Sequence, residues 1–158
     1  MSSLGEKFVV AWATRDWESF ARLYDQDVIL YAPFAWKVSG LPTILKVAAE
    51  FHVAYPGLRA ALHDEFHNAD NSRAVFRYAW DWHNTGPFYG RQPTGERGTT
   101  IETHTVRLRN GRITEQVIAT NNLFLIGLQL RHGVEYPLIT PDPALEIISA
   151  SETGWEKR

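Results

Sequence analysis

The sequence predicts an α+β fold in which helices cover one face of a curved, mostly antiparallel sheet. Three observations predict it. Apolar residues recur at helical spacing through the first third of the chain, residues 58–122 alternate largely with period two, and Asn110-Gly111 marks a tight hairpin between two alternating runs. Helices followed by strands give the segregated packing of this class. A bent sheet leaves a cavity between itself and its helices, the default place for a ligand.

Each element has its own warrant. Leu4, Phe8, Ala11 and Trp12 share one helical face, and Asp16 can cap a second helix whose apolar face is Trp17, Phe20, Leu23 and Tyr24. Residues 27–34 read as a strand stopped near Pro33. Gly40 and Pro42 open a third helix with Ile44, Ala48, Phe51 and Tyr55 on its apolar face, and Pro56-Gly57 ends it. In 58–68, Ala60, Leu62 and Phe66 point one way, Arg59, His63, Glu65 and His67 the other. After a turn at Asp70-Asn71, Ala74, Phe76, Tyr78, Trp80 and Trp82 share one face of 73–83. Residues 84–98, rich in Gly and Pro, read as loop. Glu102, His104, Val106 and Leu108 share a face of 99–109, and 112–122 is the return strand. An apolar helix at about 123–132 precedes a tail from 134 to 158. The whole reads as a single domain, core about 4–133, with no repeat or linker.

The bulk numbers exclude several classes. With 158 residues, a net charge of −2 and no Lys/Arg cluster, the chain has no nucleic-acid footprint. Zero cysteines remove disulfides, thiolate catalysis and Cys-ligated metals. The N-terminus carries Glu6 and Lys7 inside its only apolar stretch, unlike a signal peptide, and no apolar run reaches the ~20 residues that span a membrane. A cytoplasmic protein with no membrane partner is expected. His63 and His67 are four apart on a strand, ~13 Å, too far to share an ion. The glycines of 86–98 lack the flanking helix and Lys of a phosphate loop.

Among candidate site residues, His104 comes first. Its strand face is apolar, so the ring points inward, and an imidazole's ordinary range spans physiological pH. Glu102 shares that face, ~7 Å away along the strand, a spacing that calls for a water or for reaching rotamers. Trp36, Tyr78, Trp80 and Trp82 are candidates for a stacking wall, His52 and Tyr55 for helix residues that reach the cavity. Gln116, Asn121 and Asn122 can present amides to a ligand oxygen, one Asn alternatively capping the following helix. A strict two-residue turn at Asn110-Gly111 puts His104 opposite Val117. A three-residue loop with a bulged Gly111 puts it on the face of Gln116 and Ile118. Both registers stay open.

Five segments, taken in order, resemble the SnoaL-like polyketide cyclases of the nuclear transport factor 2-like superfamily, which also holds ketosteroid isomerases and scytalone dehydratase. They are RDWESFARLYDQDVILYAP at 15–33, Gly40 with the 42–55 helix, AYPGLR at 54–59, TGPFYGRQPTG at 85–95 and RLRNGRITE at 107–115. The resemblance implies a cone-shaped, cystatin-like fold of three to four N- and C-terminal helices around one deep apolar pocket. It also implies a homo-oligomer, a dimer or dimer of dimers, and chemistry without a cofactor or metal. The implied ligand is a small aromatic or polyketide-like molecule, and the implied reactions are cyclisation, isomerisation, dehydration or hydroxylation in secondary metabolism such as antibiotic biosynthesis. His104, seven residues before Gly111, stands where the family has its pocket His. Ile118 stands where the cyclases have their catalytic Asp, and Ala32 where the isomerase base precedes Pro33. His104 is then the candidate acid/base or enolate stabiliser with Glu102 as its partner, and Glu102, if burial raises it, is a candidate replacement base. A carrier that kept the pocket and lost the base is the alternative.

Overall fold

The computed structural model describes residues 2–33, 35–120, 148–151 and 154–157, with backbone alone for residues 35, 36 and 148 onward. The expected helix at 123–132, Asn121, Asn122 and the side chain of Trp36 lie outside the described residues.

Among the described residues, three helices and a six-stranded sheet make the body. Helix α1 (Leu4–Thr14) starts at a capping box, with Ser3 and Glu6 satisfying each other's backbone N–H. A second carboxylate comes from afar: Glu65 accepts from the N–H groups of Leu4 at 3.1 Å and Gly5 at 2.9 Å, fastening the helix start to the sheet. Asp16 caps α2 (Trp17–Arg22) by accepting from Ser19 N–H at 3.0 Å, as its position predicts. Strands β1 (Tyr24–Ala32) and β2 (Ala35–Ser39) form an antiparallel pair, and α3 (Leu41–Ala54) follows with Pro in its first turn. Then come β3 (Arg59–His67), β4 (Arg73–His83), β5 (Arg97–Arg109) and β6 (Arg112–Thr120). The strand order is β2-β1-β6-β5-β4-β3, antiparallel throughout except where β1 runs parallel to β6. A separate two-stranded ladder joins β7 (Ile148–Ser151) to β8 (Gly154–Lys157).

Alternation on β4 does what the sequence predicts: Ala74, Phe76, Tyr78, Trp80 and Trp82 are all buried on one face. Phe8 of α1 packs on Phe76 and Tyr78 with ring centroids 5.0 and 5.6 Å apart, which seats the helix on the sheet. Behind α3, Gly86 runs so close that a Cβ there would stand 1.8 Å from the Val53 carbonyl oxygen, so no other residue fits. Buried Asn84 ties the same corner, donating to the Ala54 and Gly86 carbonyls at 3.0 Å each.

Four sequence expectations change. Tyr24 leaves the α2 face, because that helix stops at Arg22 and Tyr24 opens β1. The strand β2, just beyond Pro33, had no periodic signal in its five residues. On β3 the register shifts between Leu62 and Asp64. That bulge turns Glu65 inward toward α1 and leaves Phe66 64% exposed, reversing the side expected for both. At the β5–β6 hairpin Asn110 and Gly111 both have positive φ (54° and 74°), the signature of a two-residue turn, and Arg109 pairs with Arg112. The extra residue is Thr114 rather than Gly111: Arg107 pairs with Glu115 and Leu108 with Ile113. His104 therefore meets Ile118, the register of the second alternative reached by a different bulge.

Candidate active site

The inner faces of β1, β4, β5 and β6 and the apolar faces of the three helices enclose a chamber of about 50 Å³. Phe8, Trp12, Phe20, Ile44, Phe51 and Trp80 give it an apolar wall. A pocket that swallows a drug-sized ligand measures roughly 300–1,000 Å³. The chamber is smaller than that in this conformation, and a ligand of that size would require the aromatic wall to repack.

Five polar side chains line or adjoin this chamber in one unbroken chain. Tyr24 Oη donates to Gln116 Oε1 at 2.8 Å, and Gln116 Nε2 lies 2.6 Å from His104 Nδ1. His104 Nε2 lies 3.1 Å from Glu102 Oε2, and Tyr78 Oη donates to that same oxygen at 2.8 Å. The strand geometry explains the assembly. Tyr78 pairs with Glu102 across β4–β5, Gln116 pairs with Val106 across β5–β6, and the β6 bulge sets Gln116 beside the imidazole. The Glu102–His104 contact is direct, through rotamers that reach along the strand, with no bridging water needed.

The direction of the chain follows from its ends. Burial pushes the Tyr24 hydroxyl above its ordinary range, against a smaller downward pull from Gln116. Burial, followed by the charge of Glu102 and the hydrogen bond to it, pushes Tyr78 well up too. Both phenols are fixed donors. Since Tyr24 donates to the Gln116 oxygen, the Gln116 NH₂ donates to His104 Nδ1, which must offer a lone pair. A neutral His104 then holds its proton on Nε2 and donates it to Glu102. Glu102 Oε2 accepts two hydrogen bonds, and no described residue donates to Oε1.

His104 is 1% exposed, with Phe8, Phe76 and Tyr78 ring centroids at 5.1, 4.9 and 5.1 Å. The imidazole cannot turn without breaking this packing. Glu102 has a side chain 12% exposed and pairs with no described arginine.

The other candidates divide. Tyr78, Trp80, Gln116 and Ile118 line the chamber with Glu102 and His104. Tyr55 and Trp82 are buried behind that wall: Trp82 donates from Nε1 to Thr100 Oγ1 at 2.9 Å, and Tyr55 packs on Trp80 and Trp82. His52 also stands behind it, edge-on to Trp12 and Trp17 with centroids at 4.7 and 5.3 Å. Neither His52 nitrogen makes a well-formed hydrogen bond among the described residues, and burial, then the charge of Arg15, hold the ring down at about 4 against a weaker upward pull from the Trp12 backbone, neutral at physiological pH. Among the described residues no cluster of His, Asp and Glu could hold a metal, and no helix is long and apolar enough to cross a membrane. Sequence reasoning missed Tyr24, Phe8 and Trp12. For Tyr24 and Trp12 the available signal was that a buried phenol or indole carries a polar atom that needs a partner.

The fold has counterparts. A model of the SnoaL-like domain matches residues 6–116. The chain belongs to the SnoaL-like family. Comparison with curated proteins finds no match. Solved structures supply the fold relatives. AclR, a proposed hydroxylase from Streptomyces galilaeus, is 23% identical with a TM-score of 0.66 over 82% of this chain and 92% of its own. IdmH, a proposed polyketide cyclase from Streptomyces antibioticus, is 19% identical with a TM-score of 0.66 over 81% and 96%. A protein of ketosteroid isomerase-like fold from Catenulispora acidiphila DSM 44928, in complex with trimethylamine, is 12% identical with a TM-score of 0.65 over 89% and 99%. At these identities the likeness shows a shared fold, so the chemistry of this SnoaL-like domain rests on its own residues.

Proposed function

We propose that this SnoaL-like protein is a cofactor-free acid/base enzyme in which Glu102 is the base and His104 and Tyr78 position it. What supports this reading is the asymmetry of the Glu102 carboxylate, with two donors on Oε2 and none on Oε1 among the described residues, on a residue that lines an apolar chamber. Oε1 takes a proton from a carbon next to a ligand carbonyl. The C–H pair moves into the carbon–carbon bond, and the carbonyl π pair moves onto oxygen as an enolate. Attack of that enolate on a second carbonyl of the same molecule gives cyclisation, reprotonation elsewhere gives isomerisation, and loss of a β-hydroxyl gives dehydration. Hydroxylation further requires dioxygen as the oxidant of the enolate. The substrate class is a planar, carbonyl-rich aromatic molecule of polyketide or related secondary metabolism. The setting is cytoplasmic and homo-oligomeric.

The test is turnover of anthraquinone- and anthrone-type compounds by wild type, Glu102→Gln and His104→Ala. Loss of Glu102 should lower kcat at least ~100-fold, the usual scale for a general base. Turnover that survives Glu102→Gln overturns the assignment, and tight binding without turnover by wild type makes the protein a carrier.

A further inference from the structure

The chamber has a second polar end that the acid/base chain does not use. Trp12 and Trp80 both line it, and both are buried, 7% and 2% exposed. Yet neither indole N–H has an acceptor among the described residues. A buried donor without a partner is uncommon, because it forfeits its hydrogen bonds to water. The neighbouring strand position shows the ordinary solution: Trp82, on the same face of β4, gives its N–H to Thr100. Both also share a neighbour. Trp12 and Trp80 each pack on Phe51, with centroids 6.2 and 6.1 Å away.

Their place relative to the base is set by the sheet. Along β4 and β5 the pairs run Phe76↔His104, Tyr78↔Glu102, Trp80↔Thr100. Trp80 is one same-face step, ~7 Å of strand, beyond Tyr78. Trp12 is one helical turn beyond Phe8, the residue that packs on His104. The chamber therefore has a basic end and a donor end, one step apart.

We propose that the Trp12 and Trp80 indole N–H groups form a recognition subsite for a ligand oxygen, with a ring carbonyl as the fitting group. An indole N–H only donates, so it selects acceptors and rejects hydroxyls that must themselves donate into an apolar wall. The spacing suits a molecule whose acidic carbon meets Glu102 while its carbonyl oxygen lies toward the tryptophans. Enolate charge would then develop on an atom already facing two donors. This inference rests on the proposed use of the chamber, but its test does not require turnover.

The test uses cyclohexanone and methylenecyclohexane, which differ by oxygen against CH₂ at nearly constant shape. Indole N–H resonances are followed in ¹⁵N-labelled protein. With cyclohexanone the Trp12 and Trp80 signals should move downfield, with methylenecyclohexane they should not, and the ketone should bind about tenfold more tightly, one buried hydrogen bond's worth. Trp12→Phe and Trp80→Phe should narrow that preference. The wild-type spectra decide the matter even if one variant folds poorly. Equal affinity for the two probes, or a ketone that moves neither indole signal, overturns the subsite. Indole shifts with no turnover of any substrate would leave recognition standing and remove only the catalytic reading.

Discussion

The two ends of the chamber treat polar atoms in opposite ways. At the β5–β6 end, Tyr24, Gln116, His104, Glu102 and Tyr78 join in one hydrogen-bonded chain in which Glu102 Oε1 has no donor among the described residues. At the other end, Trp12 Nε1 and Trp80 Nε1 have no acceptor among the described residues, and His52, behind the wall, makes no well-formed side-chain hydrogen bond to any of them. Both regions are buried and aromatic, so hydrophobicity does not distinguish them. Satisfaction does. A closed network fixes tautomers and rotamers before a ligand arrives, whereas orphaned donors leave a free-energy deficit that an incoming acceptor can relieve.

Mutations separate the two ends. The largest effect is expected at Glu102: Glu102→Gln keeps the shape and an acceptor for Tyr78, so a fall of two to four orders of magnitude in rate, roughly the range for a general base, should come without unfolding. A similar rate in wild type and variant would erase the difference between the ends.

Next comes the pH dependence of His52. Its folded-state value of about 4 lies below the ordinary 6.5. The unfolded chain therefore binds the proton first as pH falls. Stability is fully present above about 6.5, is lost between there and 4, and the loss levels off below, up to about 3 kcal/mol for this group. Urea melts at pH 7, 5 and 4 should show that slope in wild type and a shallower one in His52→Phe. Parallel slopes would mean that His52 is partnered after all.

Gln116→Leu attacks the closed end. It strands the Tyr24 hydroxyl and the His104 Nδ1, with an expected destabilisation of about 2 kcal/mol in chemical denaturation. The smallest effect sharpens the contrast most. Trp82→Phe loses the bond to Thr100 while Trp80→Phe loses none, so the first should be costlier by about 1 kcal/mol. Equal costs would show that Trp80 has an acceptor.

Much of this frame is legible in the chain. Five alternating aromatic and small residues on β4, the Asp16 cap and the Asn110-Gly111 turn each have a local cause that acts within a few residues. The inward face shared by Glu102 and His104 follows from the same period-two rule. What escaped has non-local causes. The bulges at His63 and Thr114 insert one residue without a compositional mark, and each flips the side chains beyond it, sending Phe66 out and Glu65 in. Tyr24 reads as helix by spacing, yet β1 claims it because its partner, Gln116, is 92 residues away. The direction of proton donation was equally out of reach, since it depends on which amide atom meets which neighbour.

The central claim is that Glu102 carries the open basic position because His104 is held as the Nε2–H tautomer. Long-range ¹⁵N–¹H correlation spectra of ¹⁵N-histidine-labelled protein at pH 7 report this directly. A protonated Nε2 beside an unprotonated Nδ1 is the predicted result. A proton on Nδ1 with a bare Nε2 would contradict it and return the role of base to the imidazole.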